Sequence, residues 1–289
     1  MTAKTLLLVA LALTVTTFLG FWIRSLRGTS PGRPSLLELF VGFVTNFFDT
    51  LGIGSYAPTT SFFKLKGIVP DERIPGTLTI GHTVPTVTQA FIFITLVTVA
   101  PATLIGLIAA AVAGAWLGAG TVAAWPRRNI QIGMGVALLA AAGLFVLANL
   151  GIAPGGGEAL GLTGIKLAVG LAGSFVLGAM MTIGVGYYGP CMIMISLLGM
   201  NSKTAFPIMM GACAFLMPIS GLKFLRAGSY APRPALGLAL GGFPAVLIAA
   251  FIVKALPLAT VRWLVVVVVL YSATQMLRSA WAEAQPGAR

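Results

Sequence analysis

The chain has 289 residues, of which 58% are hydrophobic and 8% charged, and its formal net charge is +12. This composition leaves too little polar surface to cover a soluble globule of this length. It therefore excludes a soluble protein, and with it the nucleic-acid partner that such a charge would otherwise suggest. The mean hydropathy of +1.00 and the long apolar runs predict a polytopic helical membrane protein rather than a β-barrel.

The first predicted element is an apolar segment at residues 6–23, followed by Arg24, Arg27 and Arg33. The segment is longer than a typical signal core, and no small-x-small cleavage pattern precedes the arginines. We therefore expect residues 1–35 to form an extra N-terminal transmembrane helix and a basic loop.

Residues 36–150 form the first of two similar halves. An apolar stretch at 36–66 is interrupted by Gly52-Ile53-Gly54-Ser55-Tyr56-Ala57-Pro58, and neither arm reaches the roughly 20 residues that cross a bilayer. Backbone that leaves the helix at membrane depth survives only when protein or a polar cavity satisfies its N–H and C=O groups. The interruption therefore predicts a functional site, and three crossing helices are expected after it, at 74–99, 102–124 and 130–150.

A glycine-rich linker at 151–165 leads to the second half, residues 166–282, and to a short tail at 283–289. The second half carries its own interruption, Gly184-Val185-Gly186-Tyr187-Tyr188-Gly189-Pro190, 132 positions after the first. Further crossings are expected near 204–225, 234–255 and 258–277. Matching interruptions and crossings over more than a hundred residues predict a duplicated architecture.

The basic residues predict how the broken elements run. If both turn back, most of the 18 basic residues lie on the cytoplasmic side, whereas if both cross, the basic residues divide evenly. The positive-inside rule therefore predicts an all-α bundle of two inverted repeats, with about seven crossings and two re-entrant broken-helix hairpins. We expect a bacterial plasma (inner) membrane protein with its N-terminus outside and its C-terminus in the cytoplasm.

The two interruptions supply the predicted substrate site. Inverted hairpins bring their tips together near the midplane, and Pro58 and Pro190 would each begin a short helix whose first N–H groups suit an oxyanion. These unpaired N–H groups are expected around Thr59, Thr60, Cys191 and Met192. The predicted substrate-binding residues are Gly52, Gly54, Ser55, Tyr56, Pro58, Thr59, Thr60, Gly184, Gly186, Tyr187, Tyr188, Pro190 and Cys191.

For the predicted substrate-binding residues, a purely structural role is the alternative. Glycines can simply permit close helix packing, and tyrosines are common at membrane interfaces. For a glycine of a crossing helix, such as Gly114, packing is the favoured interpretation, and Gly114→Ala is expected to have little effect on substrate binding.

Asp49 is the one acid within an apolar span, and His82 is the only histidine of the chain. An ionisable residue inside a membrane is costly and points to function, so Asp49 and His82 are predicted to serve proton coupling. A cation-ligand role or a structural acceptor role for Asp49, and a merely hydrogen-bonded His82, are the alternatives. Further polar residues that would line the site are Asn46, Thr50, Thr60 and Thr182, and Gln89 lies two turns beyond His82 on roughly the same helix face.

Nothing in the sequence predicts an enzyme, a metal site or a cofactor. The apolar spans hold no paired acids and no serine–histidine motif, and Cys191 and Cys213 make no metal motif. There is no ATP-binding loop, so the proton or charge gradient is the expected driving force. The expected partners are a small anion, the lipid bilayer and protons, with the oligomeric state left open.

The duplicated unit, its GxG…P break in each half and the Trp125-Pro126-Arg127-Arg128 loop resemble the TauE/SafE family of sulfite and organosulfonate exporters. This family is also called the 4-toluene sulfonate uptake permease family. The likeness covers most of the chain after Ser35, and it departs at Ser55-Tyr56-Ala57, where many relatives are richer in glycine. The resemblance implies alternating-access secondary transport of small sulfur-containing anions such as sulfite or sulfoacetate-like organosulfonates. An anion channel, or a transporter of another small anion such as a short carboxylate, is the alternative.

Overall fold

A computed structural model describes residues 2–29, 31–122, 127–150, 157–181, 187–255 and 257–282. Within these ranges the chain is helical, and no strand occurs beyond one isolated bridge between Ala159 and Met200. Trp125, Pro126, the linker residues 151–156 and the tail at 283–289 lie outside the described residues.

The helices follow one another as α1 (Ala3–Thr29), α2 (Leu36–Thr50), α3 (Tyr56–Lys66), α4 (Ile74–Leu96), α5 (Pro101–Val122), α6 (Arg127–Asn149), α7 (Gly164–Met181), α8 (Tyr188–Leu197), α9 (Ala205–Ala227), α10 (Pro232–Ala255) and α11 (Leu258–Ala282). Two 3₁₀ turns, Asp71–Arg73 and Ser202–Thr204, precede α4 and α9.

Among the described residues, four helical segments are long and apolar enough to cross a bilayer: Ala3–Gly28, Gly164–Met181, Ser202–Ala227 and Pro232–Ile252. Together with the helical fold, they identify an all-α membrane protein. The first arm of the second broken element, α7, is therefore itself of spanning length, which the sequence pattern did not single out. The number of crossings stays a prediction.

The order of elements repeats along the chain. The series α2, α3, 3₁₀ turn, α4, α5, α6 is followed by α7, α8, 3₁₀ turn, α9, α10, α11. The backbone repeats as well: Gly67 after α3 and Gly199 after α8 lie 132 residues apart and have φ of 58° and 90°. At each, the glycine N–H and the next N–H bond back to carbonyls three and five residues earlier, which is a Schellman-type helix end.

The chain divides into two compact units. The first comprises Met1–Leu96 and Cys213–Lys254, and the second comprises Val97–Ala212 and Ala255–Arg289. Each unit thus contains one interrupted helix pair, α2–α3 or α7–α8, together with helices from both halves of the sequence.

In the first unit α2 and α3 form a hairpin against α4 and α10. Val41 of α2 and Phe63 of α3 belong to one buried apolar cluster with Leu78 of α4 and Leu238 of α10. The chain leaves this cluster along α2, turns near residues 51–55, and returns to it along α3. The start of α2 and the end of α3 therefore lie at the same end of the unit.

Helix termini meet at that end. Glu38 Oε1 of α2 lies 3.1 Å from Arg233 Nε of α10, and Thr77 Oγ1 of α4 accepts the Ala231 N–H at 2.9 Å. The Tyr230 hydroxyl, in the loop before α10, lies 2.8 Å from the Ser25 hydroxyl near the end of α1. The exposed basic residues of this end are Arg24, Arg27, Arg33, Lys64, Lys66, Arg73, Lys223, Arg226 and Arg233, and we call it the basic end.

Small residues let α10 approach α2 closely. A Cβ added at Gly241 would lie 2.0 Å from the backbone oxygen of Leu39, and one at Gly242 would lie 2.4 Å from the Asn46 amide nitrogen. No larger residue fits at these positions without a shift of backbone or of Asn46. The contact positions Asn46 beside α4, where the candidate site is built.

In the second unit α7 packs equally closely on α5. A Cβ at Gly114 would lie 1.9 Å from the Phe175 oxygen, and one at Gly178 would lie 2.0 Å from the Ala111 oxygen. Gly114 is therefore a packing glycine, and Gly114→Ala would bring its added methyl against rigid backbone of α7.

The starts of α5 and α7 and the end of α8 meet at one end of the second unit. The Ala100 N–H donates to the Leu160 oxygen at 2.8 Å, next to the Ala159–Met200 bridge. In the order of the repeat, α7 corresponds to α2, α8 to α3 and α5 to α10. The helix ends that meet here are therefore the counterparts of helix ends that meet at the basic end.

Candidate functional site

The first interruption lies where the sequence predicts it, between the end of α2 and the start of α3. Gly52 and Gly54 have φ of 97° and 89°, a region that favours glycine because it lacks a Cβ. The N–H groups of Gly52 and Ile53 donate to carbonyls of the last turn of α2 at 2.8 and 3.1 Å. The turn thus pairs these N–H groups with the end of α2 while it redirects the chain.

The start of α3 differs from the sequence-based prediction. The helix begins at Tyr56 rather than at Pro58, and the Thr59 N–H donates to the Ser55 oxygen at 3.1 Å. The equivalent Cys191 N–H donates to the Tyr187 oxygen at 3.1 Å. Backbone N–H groups of Thr59 and Cys191 are therefore used within their helices. The first turn of α3 therefore starts at Tyr56, and the first turn of α8 starts at Tyr188.

Polar side chains of α2, α3 and α4 lie together beside the first interruption. Most are joined by hydrogen bonds, and the hydrogen-bonded pair Tyr56–Thr79 adjoins them through the contact of the Tyr56 ring with His82. We call the whole group the polar network, and its members are Asn46, Asp49, Thr50, Tyr56, Thr59, Thr79, His82 and Gln89. All of them except the half-buried Tyr56 are buried. The structure thus brings together the two predicted coupling residues and most of the predicted polar lining of the first tip.

His82 lies at the centre of the polar network. Its Nδ1 is 3.0 Å from Asn46 Oδ1 of α2, and its Nε2 is 3.0 Å from Thr59 Oγ1 of α3. The Tyr56 ring lies 6.0 Å from the imidazole centroid, and the Tyr56 hydroxyl donates to Thr79 Oγ1 at 3.2 Å. One imidazole therefore joins both arms of the hairpin to α4.

Asp49 is held at the end of α2 by Gln89. The Gln89 amide nitrogen donates to Asp49 Oδ2 and to Thr50 Oγ1, both at 2.9 Å. Asp49 lies in the last turn of α2, whose dipole presents its negative end there, whereas α3 presents its positive end on leaving the tip. The α2 side of the tip therefore attracts cations, and the α3 side attracts anions.

The second interruption is described from Tyr187 onwards. Gly184, Gly186 and Thr182 lie outside the described residues, so the paired two-tip site stays a prediction. The Tyr187 hydroxyl is 2.7 Å from Ser174 Oγ of α7, which donates to the Leu107 oxygen of α5 at 2.8 Å. This hydroxyl thus joins the residue before α8 to α7.

The remaining predicted residues have simpler surroundings. Thr60 and Pro58 are half-buried on α3, while Tyr188, Pro190 and Cys191 are buried on α8. Cys191 and Cys213 are free thiols. Among the residues that the structure describes, no group of three or more His, Cys, Asp or Glu side chains could hold a metal.

Sequence reasoning missed two polar residues, Thr79 and Ser174. Thr79 lies three residues before His82, so helical spacing places both on one face of α4 and could have identified it. Ser174 stands alone in an apolar helix, and no spacing links it to Tyr187.

Comparison of the chain with protein-family models, with curated proteins and with solved structures gives no match.

Proposed function

We propose that this protein is a secondary transporter of small anions, with α2–α3 and α7–α8 as re-entrant hairpins of two inverted repeats. The observation that carries the proposal is the polar network, an ionisable hydrogen-bonded cluster beside a helix break in a membrane protein. Broken helices and buried ionisable groups at membrane depth are typical of transport sites.

The reach of the hairpin supports the re-entrant interpretation. At about 1.5 Å per residue, Gln89 lies about 22 Å from the start of the 23-residue α4. Gln89 contacts the last turn of α2, so the tip stops short of the far end of α4. The hairpin would therefore enter from the basic end, turn inside the membrane and return to the basic end.

Charge supports the inverted orientation. The basic end of the first unit carries nine exposed basic residues, which the positive-inside rule assigns to the cytoplasm. The corresponding end of the second unit, where α7 begins and α8 ends, has only Lys166 and Lys203 as described basic residues nearby. The rule therefore favours the opposite side for the second hairpin.

The start of α3 supports an anionic substrate. Its dipole favours negative charge, and Ser55, whose hydroxyl is a hydrogen-bond donor, caps its start. A hydrogen bond to a charged group contributes about 1.5–3 kcal/mol, so a few converging donors would bind a small anion without a buried lysine. From the resemblance to the TauE/SafE family, we propose sulfite or a small organosulfonate as the substrate.

Counterflow in proteoliposomes tests the proposal. Vesicles loaded with unlabelled sulfite or sulfoacetate are expected to take up the labelled anion transiently against its gradient, with saturation, whereas a channel would show no counterflow. Short carboxylates serve as the competing substrate class. Flux without counterflow for every anion would contradict the proposal, as would no flux at all from protein shown to be folded.

A further inference from the structure

The hydrogen bonds of His82 determine which of its nitrogens carries a hydrogen. Asn46 Nδ2 donates to the Gly42 oxygen at 2.7 Å, which directs Asn46 Oδ1 toward the imidazole. An amide oxygen is only an acceptor, so His82 Nδ1, 3.0 Å away, must be the donor. If the Asn46 amide were flipped, its oxygen would face the Gly42 oxygen, and the hydrogen bond from Asn46 Nδ2 to Gly42 would be lost. Asn46 therefore places the hydrogen of neutral His82 on Nδ1.

The Thr59 hydroxyl has two acceptors in reach and one hydrogen. Its Oγ1 lies 3.0 Å from His82 Nε2 and 2.7 Å from the Ser55 oxygen. When Nε2 has no hydrogen, Thr59 can donate to it. When Nε2 carries a hydrogen, Nε2 becomes the donor, and the Thr59 hydrogen turns to the Ser55 oxygen at the tip.

We propose that His82 Nε2 is the proton-binding atom of this protein, and that the Thr59 hydroxyl couples its protonation to the tip. A proton taken up by Nε2 produces an imidazolium with both nitrogens donating, to Asn46 and to Thr59. The Thr59 hydrogen then rotates to the Ser55 carbonyl, and no other bond changes. The role in transport rests on the proposed function, whereas the two hydrogen-bond states do not.

The same step would link protons to anions. Thr59 is one helical turn after Ser55, so the imidazolium lies beside the start of α3, where the dipole already favours an anion. A positive charge there strengthens anion binding, and by thermodynamic reciprocity the anion strengthens proton binding. The two would then be bound together.

The other titratable groups near this part of the unit come from three helices. They are Asp49 of α2 and Tyr56 of α3, with Cys213 of α9 close enough to Tyr56 to act on its hydroxyl. The stretch of α10 packed on Asn46 presents Gly242. Asp49 contacts Gln89, seven residues beyond His82 and thus about 10 Å along α4. Both His82 nitrogens therefore contact Asn46 and Thr59 rather than the Asp49 carboxylate.

Nitrogen NMR of the full-length protein provides the test. Because His82 is the only histidine, ¹⁵N-histidine labelling with a histidine-free affinity tag reports this residue alone. We expect one protonated nitrogen, Nδ1, and one unprotonated nitrogen, Nε2, at high pH, and two protonated nitrogens at low pH. Neutral His82 with its hydrogen on Nε2 would overturn the proposal, as would unchanged signals between about pH 5 and 9.

Variants separate the hydroxyl from the imidazole. Thr59→Val removes the hydroxyl and Thr59→Ser keeps it. Thr45→Val is the matched control, since the hydroxyl of buried Thr45 donates to the Val41 oxygen of its own helix. The pH dependence of sulfite affinity, read by thermal shift, is expected to fall at least several-fold in Thr59→Val alone. An unchanged pH dependence in folded Thr59→Val would contradict the role of Thr59. If His82 titrates as described but no anion binds, the proton site stands and the proposed function fails.

Discussion

The Asp49 carboxylate and the Gln89 amide, 40 residues apart in the sequence, are joined by a 2.9 Å hydrogen bond inside the first unit. The second hydrogen of the same nitrogen goes to Thr50 at 2.9 Å. Gln89 therefore spends both of its donors on the last turn of α2, immediately before the glycine turn. This pair anchors the hairpin tip to α4.

Gln89→Leu is expected to destabilise the protein, because buried Asp49 loses this hydrogen-bond donor. A cost of about 1–3 kcal/mol is typical for such a loss, and it should appear as a lower Tm in detergent. Gln275→Leu is the control, since Gln275 bonds to Tyr271 within α11 and lies outside the polar network. Equal Tm values for the two variants would argue against an anchoring role.

His82→Gln and Asp49→Asn are expected to behave differently. His82→Gln should abolish the pH dependence of anion uptake, because glutamine cannot take up the proton. Asp49→Asn should keep it, since an asparagine oxygen still accepts from Gln89. If both variants retain wild-type pH dependence and gradient-driven accumulation, proton coupling resides elsewhere or the membrane potential alone drives transport.

Gly54→Val is expected to abolish substrate binding. No atom lies within 4 Å of an added Cβ at Gly54, so the cause is its φ of 89°, which a β-branched residue rarely adopts. Gly54→Asn, which tolerates positive φ better, should retain more binding, and Gly20→Ala in α1 is a control with equally open surroundings. Sulfite binding by thermal shift is the measurement. Unchanged affinity in folded Gly54→Val would make the turn a packing element.

Gly114→Ala and Gly178→Ala are each expected to destabilise the second unit. Their Cβ atoms would lie 1.9 and 2.0 Å from backbone oxygens of the facing helix, so α5 and α7 must separate. Overpacking of this kind typically costs about 1–3 kcal/mol. Gly20→Ala again serves as the control, and thermal unfolding with a thiol-reactive dye would compare all three. A Tm equal to that of the control would show that the helices separate at little cost.

Single cysteines test the topology. Cysteines at Lys66 and Arg226 are expected to react with a membrane-impermeant reagent only from the cytoplasmic side, and a cysteine at Glu158 only from outside. Cys191→Ser and Cys213→Ser, both buried positions, provide the background. If the cysteines introduced at Lys66 and Glu158 were labelled from the same side, the re-entrant, inverted arrangement would be wrong.

Local sequence determined the class of fold and the sites of interruption. Long apolar runs specify membrane helices, because lipid satisfies no backbone group and each segment must bond within itself. Gly52 and Gly54 adopt the positive φ that their lack of a side chain permits, and the Gly67 and Gly199 helix ends repeat at the same spacing as the two motifs. These features depend on residues within a turn or two of one another.

Tertiary packing decided which polar groups meet. The contacts of His82 with Asn46 and Thr59 join residues 36 and 23 positions apart, and Glu38 meets Arg233 across 195 positions. Such pairs depend on how closely α10 and α4 approach α2, which glycines permit but no local pattern specifies. Helix register also decided that the Thr59 N–H is spent on Ser55, because α3 begins two residues before Pro58. The sequence thus named most members of the polar network, whereas the hydrogen bonds among them were set by the packing of distant helices.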